Sequence, residues 1–274
     1  MKIPCSVPIL TLNSREKLTR TLPALAEIFE DVFIVDGNST DGTQEYARSL
    51  GVRVEKQFET NEPNQRITDF PKTRMVSWEK SRHDWLLVLD ADEILTPECV
   101  AMIRTVVAQN KRDEVHWVKR CPVLADGQII RNCPFYGAHY FRLFARSRGI
   151  RIAERLIHEK FLAPDGLKHV YHEVVILCPE PSPVALAERS KHYVTLDWKA
   201  MTNKSVHYLM RWIVWYNVRS LFGQLLRVVR SDFLGRMRGE PVLPWAYNKV
   251  FLSYSWWTMR EGIRAWMRLR YADI

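Results

Sequence analysis

Leu86-Leu87-Val88-Leu89-Asp90-Ala91-Asp92-Glu93 is an apolar run that stops at three acids within four residues. Together with Trp85 the run has the length of a buried strand rather than a helix. Uninterrupted apolar residues suit a parallel strand covered on both faces. The acids then fall at its carboxyl end, where open α/β sheets bind their ligands. Asp90 and Asp92 are two positions apart, so a regular strand points both to one face. Carboxylates held that close repel unless a cation joins them. A divalent ion shared with substrate phosphates is the usual partner. The plain alternative is a strand followed by a solvated acidic loop.

Working outward, Ser6–Leu12 reads as a first strand, and Asn13-Ser14 can cap a helix over about Arg15–Phe29. Val32–Val35 is a second buried strand ending at Asp36, followed by the turn-rich Gly37-Asn38-Ser39-Thr40-Asp41-Gly42-Thr43. Asp41-Gly42 reads as turn and helix-cap chemistry. A helix over about Thr43–Leu50, a strand at Val52–Phe58, a polar mobile loop at 59–68 and a helix at Lys72–Arg82 lead into the run that ends at Asp90. Strands alternating with helices imply right-handed βαβ units around a parallel sheet. Beyond a helix from Pro97 to about Gln109 the pattern changes. Val115–Leu124 and Gln128–Arg131 flank a hairpin signal at Ala125-Asp126-Gly127. Further strands are expected at Tyr140–Ala145, Ile150–Phe161 and Val170–Leu177, with helices from Ala187 onward.

At 274 residues, one large domain with an appendage is expected. We place the division at 1–186 and 187–274. The five cysteines are scattered, with no CxxC or Cys/His cluster, which points to reduced thiols rather than a disulfide framework or zinc site. Met1-Lys2-Ile3-Pro4 lacks a signal-peptide pattern, and no run of about 18 apolar residues suggests a membrane span. The expected location is therefore cytoplasmic. Residues 199–274 hold 13 Lys+Arg against 4 Asp+Glu, which accounts for the whole net charge of +9. No G-x-x-x-x-G-K-[ST] and no G-x-G-x-x-G occurs, which argues against P-loop and dinucleotide-binding readings. At its strand end, Asp36 could accept from a base or ribose, or bond its own turn.

These segments resemble a known family. Pro8-Ile9-Leu10-Thr11-Leu12-Asn13 looks like the opening strand of family 2 glycosyltransferases of the GT-A fold. Val35–Thr43 resembles their V-D-x-x-S-x-D-G-T segment, and Leu89-Asp90-Ala91-Asp92-Glu93 their D-x-D metal motif. Arg74 stands sixteen residues before Asp90, where the family often has Arg-Asn, although Met75 replaces the Asn here. The D-A-D-E form and the later His158-Glu159 are closest to the lipopolysaccharide-core glucosyltransferase-like branch. The resemblance covers about residues 5–162. It implies an α/β GT-A fold, a Rossmann-like mostly parallel sheet, here with a C-terminal helical extension.

The resemblance also implies the site. Thr11, Asn13, Asp36, Arg74 and Asp90 would bind the nucleotide sugar, with Asp36 on the base and Arg74 on the base or diphosphate. Asp90 and Asp92 would hold Mg²⁺ or Mn²⁺, and His158 could complete the metal shell or contact the diphosphate. Glu159, or else Glu154, would be the catalytic base of an inverting transfer. Glu93 is open as a base or as a supporting group. The donor is expected to be a UDP-sugar and the acceptor a cell-envelope glycan or lipid-linked molecule. A sugar-phosphate nucleotidylyltransferase is a rival, but Leu12–Arg20 lacks the glycine-rich basic loop of that class. A non-catalytic membrane-attached binding module is the other rival.

The tail interleaves Trp212-Ile213-Val214-Trp215-Tyr216, Trp256, Trp257 and Trp266 with arginines. Such helices can lie on an anionic membrane surface, which would place the protein at the inner face of the membrane. Helices that cap the catalytic domain or pair two subunits are the alternative. Nucleic acid is not expected as a partner, because no binding motif accompanies the charge.

Overall fold

The structure is a computed structural model that describes residues 1–135, 139–153, 161–201, 211 and 215–271. By internal packing the chain divides into two compact units, one of residues 1–120 and 138–178, the other of residues 121–137 and 179–274. Relative to the expected division at 186, residues 121–137 and 179–186 join the helical unit.

The first unit is built on a mixed sheet of the order β3-β2-β1-β4-β7-β6-β10-β5 among the described residues. Strands β1 (Ile3–Thr11), β2 (Phe29–Asp36), β3 (Arg53–Lys56) and β4 (Trp85–Leu87) form the parallel portion. They alternate with α1 (Arg15–Ile28), α2 (Thr43–Ser49) and α3 (Phe70–Glu79), as the sequence predicts. β1 and β2 bury Ile3, Cys5, Val7, Ile9 and Val32–Val35, the two-sided burial that a continuous apolar run anticipates.

After β5 (Ile94–Leu95) and α4 (Pro97–Gln109), β6 (Glu114–Val123) and β7 (Tyr140–Ala145) complete the sheet with β10 (Lys168–Pro179), while β8 (Arg151–Ile152) and β9 (Phe161–Leu162) pair separately. β7 runs antiparallel to both β4 and β6. Helix starts follow local rules: Asp69 accepts from Lys72 N at 2.9 Å and Thr96 from Cys99 N at 3.3 Å, each followed by a proline in the first turn. Under the sheet, Trp78, Leu86, Val88, Val115, Phe141 and Phe144 form one buried cluster. Trp78 meets Phe144 edge-on at 5.0 Å, a geometry that adds to simple burial.

The chain winds from β1 outward through β2 to β3, then returns to the other side of β1 at β4. The reversal lies between β1 and β4, the position at which open α/β sheets leave a crevice at their carboxyl ends. Thr11 ends β1 there, with Leu12 and Asn13 beyond it, and Asp90–Asp92 follow β4.

The second unit holds α5 (Pro183–Met201), α6 (Asn217–Arg238) and α7 (Trp245–Tyr271). A turn at 124–127, in which Gly127 N donates to Leu124 O at 2.9 Å, realises the expected hairpin signal. Gly127 has φ +83°, a conformation that glycine adopts without strain. Leu124, Ile130, Leu186, Leu243, Tyr247 and Val250 make the core of this unit. Trp257, for which membrane contact and packing were both open from sequence, packs against that core, with Lys191 Nζ 5.2 Å from its ring. Among the described residues no helix is long and apolar enough to cross a membrane.

Candidate active site

The two loops that follow β1 and β2 are laced together. Asn13 N donates to Ser39 Oγ at 2.8 Å, Thr40 N to Asn13 Oδ1 at 3.0 Å, and Ser14 N to Thr43 Oγ1 at 2.8 Å. Ser14, expected to cap α1, makes no such cap. Its hydroxyl donates to Leu12 O, and the cap comes from Asp41, which accepts from Arg15 N at 3.0 Å. Asp41 also accepts from Thr43 N at 3.0 Å, so one carboxylate serves both helix starts. Burial would raise its pKa, but these donors outweigh it and hold Asp41 below the usual carboxylate range.

Asp36 lies beside Thr11 in the strand register and is 1% exposed. It accepts from Thr11 Oγ1 at 2.7 Å, Ser39 N at 2.8 Å, Ser39 Oγ at 2.6 Å and Gln44 Nε2 at 2.7 Å. Four donors occupy the sites a carboxylate offers. A nucleotide base could reach Asp36 only by exchanging one of these bonds. The next residue, Gly37, admits no side chain, because a Cβ there would stand 2.3 Å from Gln65 O. Gln65 N donates to Gly37 O at 2.7 Å, and Asn38 Nδ2 donates to Thr60 O and Glu62 O at 2.8 Å each. The 59–68 segment, expected to be mobile, is thus fastened over the end of β2.

Asp90 and Asp92 differ from the sequence expectation in local shape. β4 stops at Leu87, and Glu93 N donates to Asp90 O at 3.1 Å, closing a turn over Asp90–Glu93. Asp90 and Asp92 therefore stand on a turn and not at alternating positions of a strand. Asp90 keeps its side chain 44% exposed and meets Arg74 Nη2 at 3.4 Å. Asp92, 31% exposed, pairs with Lys17 Nζ of α1 at 2.8 Å. Thr21 Oγ1 donates to Ala91 O at 2.9 Å, tying α1 to the same turn. Desolvation works to raise the Asp90 pKa, but Arg142, Arg74 and Arg120 overcome it and hold Asp90 ionised below its ordinary range.

Glu93 is the buried support of this turn, 1% exposed. Its carboxylate accepts from Asp90 N at 2.9 Å and from Arg142 Nη2 at 2.7 Å, with Arg120 Nε at 2.8 Å. Burial pushes its pKa up, aided by Asp90 and opposed by Arg142 and Arg120. Arg142 also donates to Val88 O at 3.0 Å, so one guanidinium fixes both the end of β4 and the turn beyond it. Glu93 is thus enclosed by the groups that it holds in place. Arg120 and Arg142 were not singled out from sequence. They lie 27 and 49 residues beyond Glu93, and only strand pairing brings them to it.

The remaining expected residues, Glu154, His158 and Glu159, lie outside the described residues. Among the described residues no three His, Cys, Asp or Glu converge on a possible metal position. Two partly open carboxylates are hard oxygen donors that suit Mg²⁺ or Mn²⁺ when substrate phosphates complete the shell.

Residues 6–120 match the family Glycosyl transferase family 2. That segment holds β1 to β4, Asp36, Arg74 and the Asp90–Glu93 turn. An uncharacterized glycosyltransferase of Rickettsia typhi is 30% identical over 105 residues, which are 38% of this chain and 33% of the relative. One of Rickettsia felis is likewise 30% identical over 105 residues, covering 38% of this chain and 34% of that protein. The chain thus spans about a third of the length of these curated relatives. Among solved structures, the mannosyltransferase PcManGT of Pyrobaculum calidifontis in complex with GDP-Man and Mn²⁺ is 14% identical with a TM-score of 0.46, over 100% of this chain and 89% of that one. S. aureus TarS 1-349 in complex with UDP-GlcNAc is 15% identical with a TM-score of 0.47, over 98% and 92%.

Proposed function

We propose that this chain is an inverting, divalent-metal-dependent glycosyltransferase that moves a sugar from a nucleotide donor to a cell-envelope glycan or lipid-linked acceptor. The observation that carries the reading is the Asp90–Glu93 turn at the chain reversal. Two partly exposed carboxylates stand there among cations that exceed them. Lys17, Arg74, Arg120 and Arg142 face Asp90, Asp92 and Glu93, which leaves a positive surplus suited to a diphosphate.

In this reading the β1 and β2 loops cradle the nucleoside, with Thr11 and Asn13 on one side. Asp36 orders the cradle and meets the base only if Ser39 or Gln44 yields its bond. Arg74 takes the base or diphosphate. Asp90 and Asp92 would hold Mg²⁺ or Mn²⁺, with His158 completing the shell. When bound, the ion supplies Lewis-acid neutralisation of the leaving diphosphate. Glu159, with Glu154 second, takes the proton of the acceptor hydroxyl as its oxygen attacks the anomeric carbon. The anomeric C–O bond breaks, and its electron pair leaves with the diphosphate.

The D-A-D-E turn supports placing the chain nearest the lipopolysaccharide-core glucosyltransferase-like branch, with a UDP-sugar as donor. The basic tail favours a peripheral position at the inner face of the cell membrane. The test is a hydrolysis screen of UDP-glucose, UDP-GlcNAc and GDP-mannose, with Mn²⁺ and with chelator. Release of one nucleoside diphosphate, abolished by chelator, supports the reading. No release from any donor under either condition, with the protein folded, counts against it.

A further inference from the structure

α6 of the second unit carries an apolar stripe that faces solvent. The helix buries Asn217, Val228 and Gly235, which share one side. Turned away from that side, Val218, Phe222, Leu226, Val229, Phe233 and Met237 are each 55–70% exposed. They recur every three or four residues, which keeps them on a single face. At the helical rise the stripe runs roughly 30 Å. Single exposed apolar residues are ordinary, but a contiguous run of this length marks an interaction surface.

The charges around the stripe select the partner. Arg219, Arg227, Arg230, Arg236 and Arg238 are exposed along the same helix against one acid, Asp232, which pairs with Arg236 at 2.8 Å. A second copy docking face to face would set these arginines against their own images, because a two-fold interface uses one patch twice. An anionic lipid surface matches them: apolar bodies enter the acyl boundary while guanidinium groups stay with the headgroups. The arginines also forbid a spanning orientation.

We propose that α6 lies in the plane of an anionic lipid surface, with the Val218–Met237 stripe inserted and its arginines on the headgroups. This deepens the reading of the tail as membrane-facing and is independent of sugar transfer. Within the tail it places the contact on Phe222, Val229 and Phe233, whereas Trp257 packs against the core of its unit.

The test uses the full chain with vesicles of phosphatidylcholine alone or with about a third phosphatidylglycerol, read by co-sedimentation without any donor. Binding to the anionic vesicles should exceed binding to neutral ones at least tenfold and weaken with salt. The triple variant Phe222→Ser, Val229→Ser, Phe233→Ser should lose at least tenfold of that binding with an unchanged Tm, since these side chains are already in water. Undiminished binding by the triple variant would overturn the proposal, as would equal, weak binding of the parent chain to both vesicles. A lipid-free dimer that the triple variant splits would also overturn it, in favour of a second copy on the stripe. Because no donor is present, failure of the transferase reading leaves this result untouched.

Discussion

Asp36 and Asp90 end neighbouring βαβ units at the same edge of the sheet, and they do opposite things. Asp36 is sealed, with four neutral donors on its two oxygens. Asp90 is half open and surrounded by arginines. A carboxylate saturated by hydroxyl, amide and backbone donors has spent its capacity on ordering the chain. One balanced by partly distant cations keeps open oxygens and can trade its partners for a metal or accompany a diphosphate. The lesson is that an acid at a strand end becomes a candidate ligand through what it is not bonded to.

The largest effect that would break this comparison lies beneath Asp90. Glu93→Gln keeps the shape but leaves the buried Arg142 and the partly buried Arg120 without their carboxylate. Breaking a buried pair in this way costs about 3–5 kcal/mol. We expect a large fall in the urea midpoint, and a midpoint within error of the parent would show that Glu93 does not hold the turn. A smaller effect is expected at the sealed acid. Asp36→Asn replaces acceptors by an amide that faces donors, at about 1–3 kcal/mol. Donor affinity at saturating folded fraction should change little. A collapse of donor binding with intact stability would instead put the base directly on Asp36.

The last effect concerns a buried histidine and is read only through pH. His116 lies 3.0 Å from His172, and burial, then the neighbouring His172, lowers its pKa from 6.5 to about 4. A histidine with a depressed folded pKa binds protons more readily when unfolded. Its contribution is therefore complete above about pH 6.5 and is lost as pH falls toward 4. Burial of Asp31 is outweighed by Arg82 N, Ser6 and Arg53, so its pKa is lowered and its contribution fades only at lower pH. The Tm should decline between pH 6.5 and 4, and His116→Phe should flatten that decline. An equal decline in the variant would assign it elsewhere.

Much of the frame was legible in sequence because burial on both faces writes itself as apolar runs. β2 ends at Asp36 and β7 spans Tyr140–Ala145 as expected. The turn at Asp90–Glu93 was not legible, because an apolar run does not show at which residue its strand ends. The saturation of Asp36 was hidden as well. Its donors come from Thr11, Ser39 and Gln44, and no local pattern shows that they converge. Arg120 and Arg142 carry no signal near Glu93, since antiparallel pairing over long separations delivers them. The α6 stripe was partly visible as aromatic and basic composition. Which face is buried depends on packing against the rest of its unit, so composition left membrane contact and packing both open for Trp257.

The central claim is that the Asp90–Asp92 turn binds a metal–diphosphate while Asp36 does not. The most direct measurement is calorimetric titration of UDP and GDP into the folded chain, with Mn²⁺ and with chelator, repeated on Asp92→Asn. We expect one nucleotide to bind with Mn²⁺, to lose at least tenfold in affinity with chelator, and to lose a similar amount in the variant. Asp92→Asn should keep the parent's Tm and lower transfer about a hundredfold or more. Affinity that is the same with and without metal, and the same in Asp92→Asn, would contradict the account.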